Sequence, residues 1–305
     1  PYGGAFKVTK GLSEIFPERI INMPISEAGF TGMAVGLAMN GMLPIVELMF
    51  GDFATLSFDQ ILNHAVKYQW IYGDAVKVPF VLRAPMGGGR GYGPTHSQSL
   101  EKHFLGIPGL EIMALSPVHN VFELYLYALK KRTSPLMIIE NKRLYAEPLY
   151  EMKGNKIEHF SVRALFNDIY PTVYMTLDDS NAPDIIALTY GDVVREVMQA
   201  SLDLMIEDEI QMDIFVISQL HPVPINDIMS VVENNARIIT IEEGTMDAGW
   251  GSEIIAQVAT RKSGMIFGKV AAENEPVANG RILEQRQSVN CDRIKAKARG
   301  MMDEN

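Results

Sequence analysis

The sequence predicts an α/β protein of two domains, each a mostly parallel sheet with helices on both faces. Three observations predict it. Short apolar runs bounded by Pro, Gly or charge alternate with helical patterns. Strands that alternate with helices imply a parallel sheet covered on both sides. The alternation occurs twice in a chain of 305 residues, too long for one small core and suited to two α/β domains.

The elements follow in order. A thin helix is expected over 28–39, then a buried strand over 44–49. A helix over 57–72 carries Phe58, Ile61, Leu62, Ala65 and Val66 on one face. Strands follow at 79–83 and 135–140, with a helix over 118–131 between them. The second alternation has strands at 184–190, 212–217 and 236–242, with helices at 192–206, 224–233 and 249–262. Between the two, residues 146–182 are mixed in polarity and read as irregular. The expected division is a first domain over 1–150, a connection over 151–182 and a second domain over 183–305.

Composition excludes several classes. Hydrophobic residues make up 47% and charged residues 21%, the balance of a folded chain. The net charge of −10 argues against nucleic acid or an anionic membrane surface as the main partner. No run reaches the about 18 apolar residues of a membrane span, and no signal peptide is evident. Cys291 is the only cysteine, so neither an internal disulfide nor a cysteine-built metal cage is available. A reducing compartment fits: cytoplasm, or the mitochondrial matrix or plastid of a eukaryote.

Two stretches carry chemistry. In the first, Gly29, Gly32, Gly36 and Ala38 keep the 28–39 helix thin, which allows close approach by a backbone or a flat ligand. Glu27 sits at its entrance, after apolar Ile25. An acid there is either a helix-dipole carboxylate or a buried acid held beside a cofactor. The second stretch has five glycines within residues 87–93 and closes on His96. It lacks the Gly-Lys-Ser/Thr end of a Walker loop and the acidic residue of a dinucleotide fingerprint. His96, after a glycine-rich loop that follows a core strand, is either structural or a functional imidazole.

These stretches resemble a known family. Pro24-Ile-Ser-Glu-Ala-Gly-Phe, Phe58-Asp-Gln-Ile-Leu-Asn-His, Thr95-His-Ser-Gln-Ser and Ile107-Pro-Gly-Leu stand in the order found in beta subunits of thiamine-diphosphate-dependent 2-oxo acid dehydrogenases. So do Tyr2-Gly-Gly-Ala-Phe-Lys-Val-Thr and Ile139-Glu-Asn-Lys-Arg-Leu-Tyr. The likeness covers the pyrimidine-binding domain of the transketolase-like superfamily. It continues more weakly through Thr189-Tyr-Gly, Ile241-Glu-Glu-Gly and Gly249-Trp-Gly-Ser-Glu-Ile, as in the transketolase C-terminal domain.

The resemblance implies roles. Glu27 would bond the aminopyrimidine of thiamine diphosphate and promote loss of the thiazolium C2 proton. Ile25 and Phe53 would pack on the pyrimidine ring. Met49 and Phe53 stand where branched-chain enzymes carry Gln and Tyr, and the pair looks like that of the pyruvate and acetoin enzymes. His96 would face the 2-oxo acid and aid acyl transfer to lipoyl.

The family's Gly-Asp-Gly metal–diphosphate motif is not matched by Gly51-Asp-Phe, Gly73-Asp-Ala or Gly191-Asp-Val. The implied Mg²⁺ and diphosphate ligands therefore come from an alpha subunit, in an alpha2beta2 heterotetramer that serves a dihydrolipoyl acyltransferase core. No metal ligand is assigned to this chain. The family carries a helix and a strand ahead of the Tyr2-Gly-Gly opening, and the first sheet here is expected to lack them. Two other readings stand beside the main one: the C-terminal half of a split transketolase-like enzyme, and a non-catalytic assembly subunit.

Overall fold

The computed structural model describes residues 3–130, 132–165, 170–233 and 235–304; Tyr2, part of the opening motif, lies outside them. Twelve strands run β1 (Ile45–Glu47), β2 (Val81–Met86), β3 (Glu111–Ala114), β4 (Leu136–Asn141), β5 (Lys156–Ile157), β6 (Phe160–Leu165), β7 (Thr172–Thr176), β8 (Ile185–Thr189), β9 (Met212–Val216), β10 (Gln219–His221), β11 (Arg237–Thr245) and β12 (Ile266–Ala272) among the described residues. The helices are α1 (Leu12–Ile15), α2 (Glu27–Met39), α3 (Val66–Ile71), α4 (Val121–Leu129), α5 (Val194–Asp208), α6 (Ile225–Val232), α7 (Trp250–Ala259), α8 (Arg281–Gln287) and α9 (Cys291–Asp303).

Two sheets result, with orders β1-β2-β4-β3-β10 and β12-β11-β8-β9-β7-β6-β5. Both are mixed. The first is parallel except for β10 against β3. The second is parallel from β12 to β9 and antiparallel from β9 to β5. The first sheet is thus mostly parallel, as expected, whereas half of the strand pairings in the second are antiparallel.

Helices cover both faces of the second sheet. Ile186, Leu188 and Phe215 pack with Ile228 and Val232 of α6 and with Ile254 and Val258 of α7. Their neighbours Ile185, Ala187, Ile214 and Val216 point the other way, to Val197 and Leu204 of α5 and Ile294 and Ala298 of α9. This period-two alternation inside wholly apolar strands requires two covered faces. The first sheet divides likewise: Leu82, Ile112 and Met137 join the larger core, while Val81, Met113 and Ile138 pack on Leu124 and Ala128 of α4. The larger core is common to both sheets.

Three expectations are corrected. Residues 151–182, read as an irregular connection, supply β5, β6 and β7 to the second sheet. Part of the second domain, β10, crosses to the first sheet, so 183–305 is not structurally self-contained. The helix expected over 57–72 is irregular: a 3₁₀ turn spans Gly51–Ser57 and a π-helical turn spans Gln60–Ala65 before α3. Gly51 has a local cause. A Cβ there would lie 2.3 Å from Met86 Cγ, so the 3₁₀ turn can rest on the end of β2 only with glycine. Among the described residues no helix is long and apolar enough to cross a membrane.

Candidate active site

Glu27 is the first residue of α2 and is buried at 7% exposure, whereas Ile25, two residues earlier, is 78% exposed. Ser26 makes no side-chain cap on this helix. The acid thus stands at a helix entrance, directly behind an apolar residue at the surface. Further along α2, buried Thr31 shares a 2.8 Å hydrogen bond with Ser57 at the end of the 3₁₀ turn. That bond ties the Glu27 helix to the segment bearing Phe53.

Met49 is exposed and Phe53 half-buried. Asp52 lies between Phe50 and Phe53. Its Oδ1 accepts from Gln98 N at 3.2 Å and Gln98 Nε2 at 2.9 Å, which docks the segment after His96. Its Oδ2 is buried without a hydrogen-bond partner among the described residues. A buried acceptor left open is costly unless a donor reaches it.

His96 sits among aromatic rings. Its ring centroid lies 4.7 Å from Phe50 and 5.3 Å from Phe53, both edge-on. Nδ1 is 2.8 Å from Thr95 Oγ1. The structure therefore brings His96 and Phe53 together. The ring contacts around His96 do not extend to Glu27, Ile25 or Met49.

The glycine-rich loop is held mainly from the second half of the chain. Gly88 N donates to Glu243 Oε1 at 3.0 Å and Gly91 N to Glu284 Oε2 at 2.8 Å. Burial pushes the Glu243 carboxyl above its usual range. Gly87, Gly89, Gly91 and Gly93 all have positive φ, which is why the run has to be glycine. Outside the loop, Arg143 after β4 pairs with Asp192 of the second half, Nε to Oδ2 at 3.0 Å.

Sequence reasoning missed the residue beneath the loop. Lys142 is 0% exposed, and its Nζ donates to the His96 carbonyl at 2.9 Å. The same ammonium lies 5.6 Å from the Phe50 ring centroid. Burial lowers its pKa to about 8, while Asp52, Glu243 and Glu284 oppose that shift. It follows strand β4, where nothing local distinguishes it from an exposed lysine. Also missed was a hollow of about 340 Å³ walled by Phe6, Phe50, Tyr92 and Tyr145, with Lys7 and Arg90 in its lining. These residues come from four separated segments, so no local pattern could announce them.

Comparison with known proteins gives the family. Residues 2–148 match the family "Transketolase, pyrimidine binding domain", and residues 175–281 match "Transketolase, C-terminal domain". The chain is 30% identical over 304 residues to the acetoin:2,6-dichlorophenolindophenol oxidoreductase subunit beta of Cupriavidus necator, covering 99% of this chain and 86% of that one. It is 35% identical over 262 residues to the pyruvate dehydrogenase E1 component subunit beta of Gracilaria tenuistipitata var. liui, covering 84% and 75%. A solved "Split gene transketolase, inactive beta4 tetramer" superposes with a TM-score of 0.70 at 17% identity, over 97% of this chain and 87% of that one, and this likeness shows the fold alone.

Proposed function

Since this chain belongs to the family of beta subunits of pyruvate and acetoin dehydrogenases, built from transketolase pyrimidine-binding and C-terminal domains, we propose that it forms the pyrimidine half of a thiamine-diphosphate site completed by an alpha subunit. The reaction is oxidative decarboxylation of a short 2-oxo acid, or the corresponding cleavage of acetoin. The acyl group and two electrons pass to a lipoyl disulfide; a 2-oxo acid releases CO₂, and acetoin releases acetaldehyde. The family is thiamine-diphosphate-dependent, and the cofactor supplies the electron sink.

The carrying observation is the juxtaposition of buried Glu27 with exposed Ile25 at the entrance of α2. The residues fit the pyrimidine half of the cofactor. Ile25, Met49 and Phe53 offer apolar surface to a flat ring, and Asp52 Oδ2 is an unmatched acceptor. In this reading Glu27 holds and shares a proton at the ring nitrogen, so that the helix-dipole role becomes secondary. His96, packed edge-on by Phe50 and Phe53, presents its imidazole to the 2-oxo acid and to the acyl group.

Mg²⁺ and the diphosphate are assigned to the alpha subunit, because this sequence has no Gly-Asp-Gly motif. We assign the assembly as alpha2beta2, delivering to a dihydrolipoyl acyltransferase core. Exposed Ile15, Phe16, Ile21, Met23 and Ile25 lie close in sequence and supply apolar surface of the kind subunit contacts bury. The pyrimidine unit is placed at 1–150 and the C-terminal unit after it, the latter beginning with β5 rather than at 183. The split-transketolase reading rests on a likeness in fold alone.

The test is reconstitution with the alpha subunit encoded beside it. The pair should bind thiamine diphosphate in a Mg²⁺-dependent way and decarboxylate pyruvate or cleave acetoin, with transfer to lipoamide. The beta chain by itself should bind the cofactor weakly in calorimetry. Tight Mg²⁺-dependent binding by the beta chain alone would contradict the shared site.

A further inference from the structure

The loop over 87–98 is closed at its base, where Gly87 N donates to the Gln98 carbonyl at 3.2 Å. A glycine run keeps one conformation only when bonds from outside fix it. Those bonds come from the second half of the chain. Glu243 accepts from Gly88 N, near the base. Glu284, in α8, accepts from Gly91 N at 2.8 Å, closer to His96. Gly93 lies against Asn279, just ahead of α8. Glu284 stands outside residues 175–281, the part that matches the transketolase C-terminal domain.

Two routes link Glu284 to His96. Along the main chain, the carbonyl of Gly93, two residues beyond the anchored Gly91, accepts from His96 N at 3.2 Å. Through charge, the Lys142 ammonium that holds the His96 carbonyl faces the carboxylates of Asp52, Glu243 and Glu284 and the guanidinium of Arg90. His96 is therefore held at its N–H and at its carbonyl, and Glu284 acts on both. Glu284 is itself 1% exposed. Its Oε1 would stand 2.8 Å from a Cβ on Gly88 and has no hydrogen-bond partner among the described residues. That oxygen thus carries charge without a bond, and Lys142 is a buried cation that faces it.

We propose that Glu284 is a positioning residue for His96, holding from the second half of the chain the backbone that aims the imidazole in the first. This rests on the function proposed above, which sets His96 against the substrate. Glu284 acts through the loop and not on the substrate. Its removal frees Gly91 N and lets the glycine run spread over many conformations, so the imidazole is in place for less of the time. It also takes a carboxylate away from Lys142. Burial already lowers that pKa to about 8, and loss of a facing negative charge lowers it further.

The experiment compares wild type, Glu284→Ala and Glu284→Gln in the complex reconstituted with the alpha subunit. It measures kcat and KM for pyruvate and for acetoin, the pH profile of kcat, and C2 proton exchange of bound thiamine diphosphate. Glu284→Ala should lower kcat about 10- to 100-fold, the scale of a misplaced reacting group, with KM and C2 exchange close to wild type. Glu284→Gln keeps an acceptor for Gly91 N and loses the charge. On the acid side of its alkaline limb it should recover most of kcat, and that limb should fall at lower pH than in wild type. A kcat unchanged in Glu284→Ala overturns the proposal. So does C2 exchange that falls in step with kcat, or a pH profile identical in wild type and Glu284→Gln. If Glu284→Ala does not fold, the pH profile of Glu284→Gln decides alone. A wild-type complex that turns over neither substrate sinks the proposed function instead. Hydrogen–deuterium exchange of residues 87–98 in the same complexes then judges Glu284: faster exchange there in Glu284→Ala sustains its hold on the loop, and unchanged exchange overturns it.

Discussion

The ammonium of Lys142 is bonded to the main-chain carbonyl of His96 at 2.9 Å, with no part of the lysine exposed. A buried cation with such a partner fixes the backbone that aims the imidazole. Lys142→Met keeps the hydrocarbon and removes the donor. It should lower kcat in the reconstituted complex roughly 10- to 100-fold, the scale of a misplaced reacting group, with a smaller change in KM. The pH profile separates positioning from folding. With its pKa pushed down by burial to about 8, wild type should lose kcat as pH rises through 8. The Met variant should lack that limb. A kcat unchanged at pH 7, or the same alkaline limb in both proteins, would remove Lys142 from the account.

The loop that carries His96 makes a second demand. Gly93 has φ +79°, and a Cβ there would fall 2.5 Å from Asn279 Oδ1. Gly93→Ala should destabilise the chain by about 1–3 kcal/mol, the usual cost of a non-glycine residue forced into this region. Urea denaturation checks it, and an unchanged midpoint would show that the loop shifts freely.

These two sites mark what the sequence could and could not disclose. The 28–39 helix and the strands near 44, 79, 135, 184, 212 and 236 were legible because apolar runs between Pro, Gly and charge have few alternatives. Strand β6 was not. It is antiparallel to both neighbours, and its second half carries exposed Arg163 and Ala164, so it shows no continuous apolar run. Strand β3 is four residues long and opens on Glu111, too short for periodicity. Helix α9 did carry a signal in Ile294, Ala298 and Met301 at spacings of four and three, with Asn290 accepting from Arg293 N as its cap. At the site, Glu27 and His96 stood out because each borders a glycine-rich stretch. Lys142, Phe6, Phe50 and Arg90 did not, since only the folded chain brings them together.

Glu101 gives a pH prediction. It is 1% exposed, accepts a hydrogen bond from Tyr190 Oη, and faces Glu242 and Glu243. Burial raises its pKa to about 7, reinforced by those two carboxylates and opposed by the Tyr190 bond. A carboxyl raised above its unfolded value stabilises the fold fully below the unfolded value of 4.5. That contribution is lost as pH rises through about 7. Glu101→Gln keeps an acceptor for Tyr190 and cannot ionise. Between pH 5 and pH 8 the variant should therefore gain on wild type by roughly 2–3 kcal/mol in urea denaturation. A gap that does not change with pH would mean that Glu101 ionises normally in the fold.

The central claim is that Glu27 acts on the cofactor ring rather than on its own helix. The direct measurement is the rate of C2 proton exchange of thiamine diphosphate bound to the reconstituted complex, followed by NMR after a deuterium quench, in wild type and Glu27→Gln. The substitution keeps the shape and one acceptor but cannot share a proton. Exchange should slow about 100- to 10,000-fold, the range for a lost acid–base group, while cofactor affinity changes far less. Exchange at the wild-type rate in Glu27→Gln would contradict the account and return Glu27 to the role of a helix-dipole carboxylate.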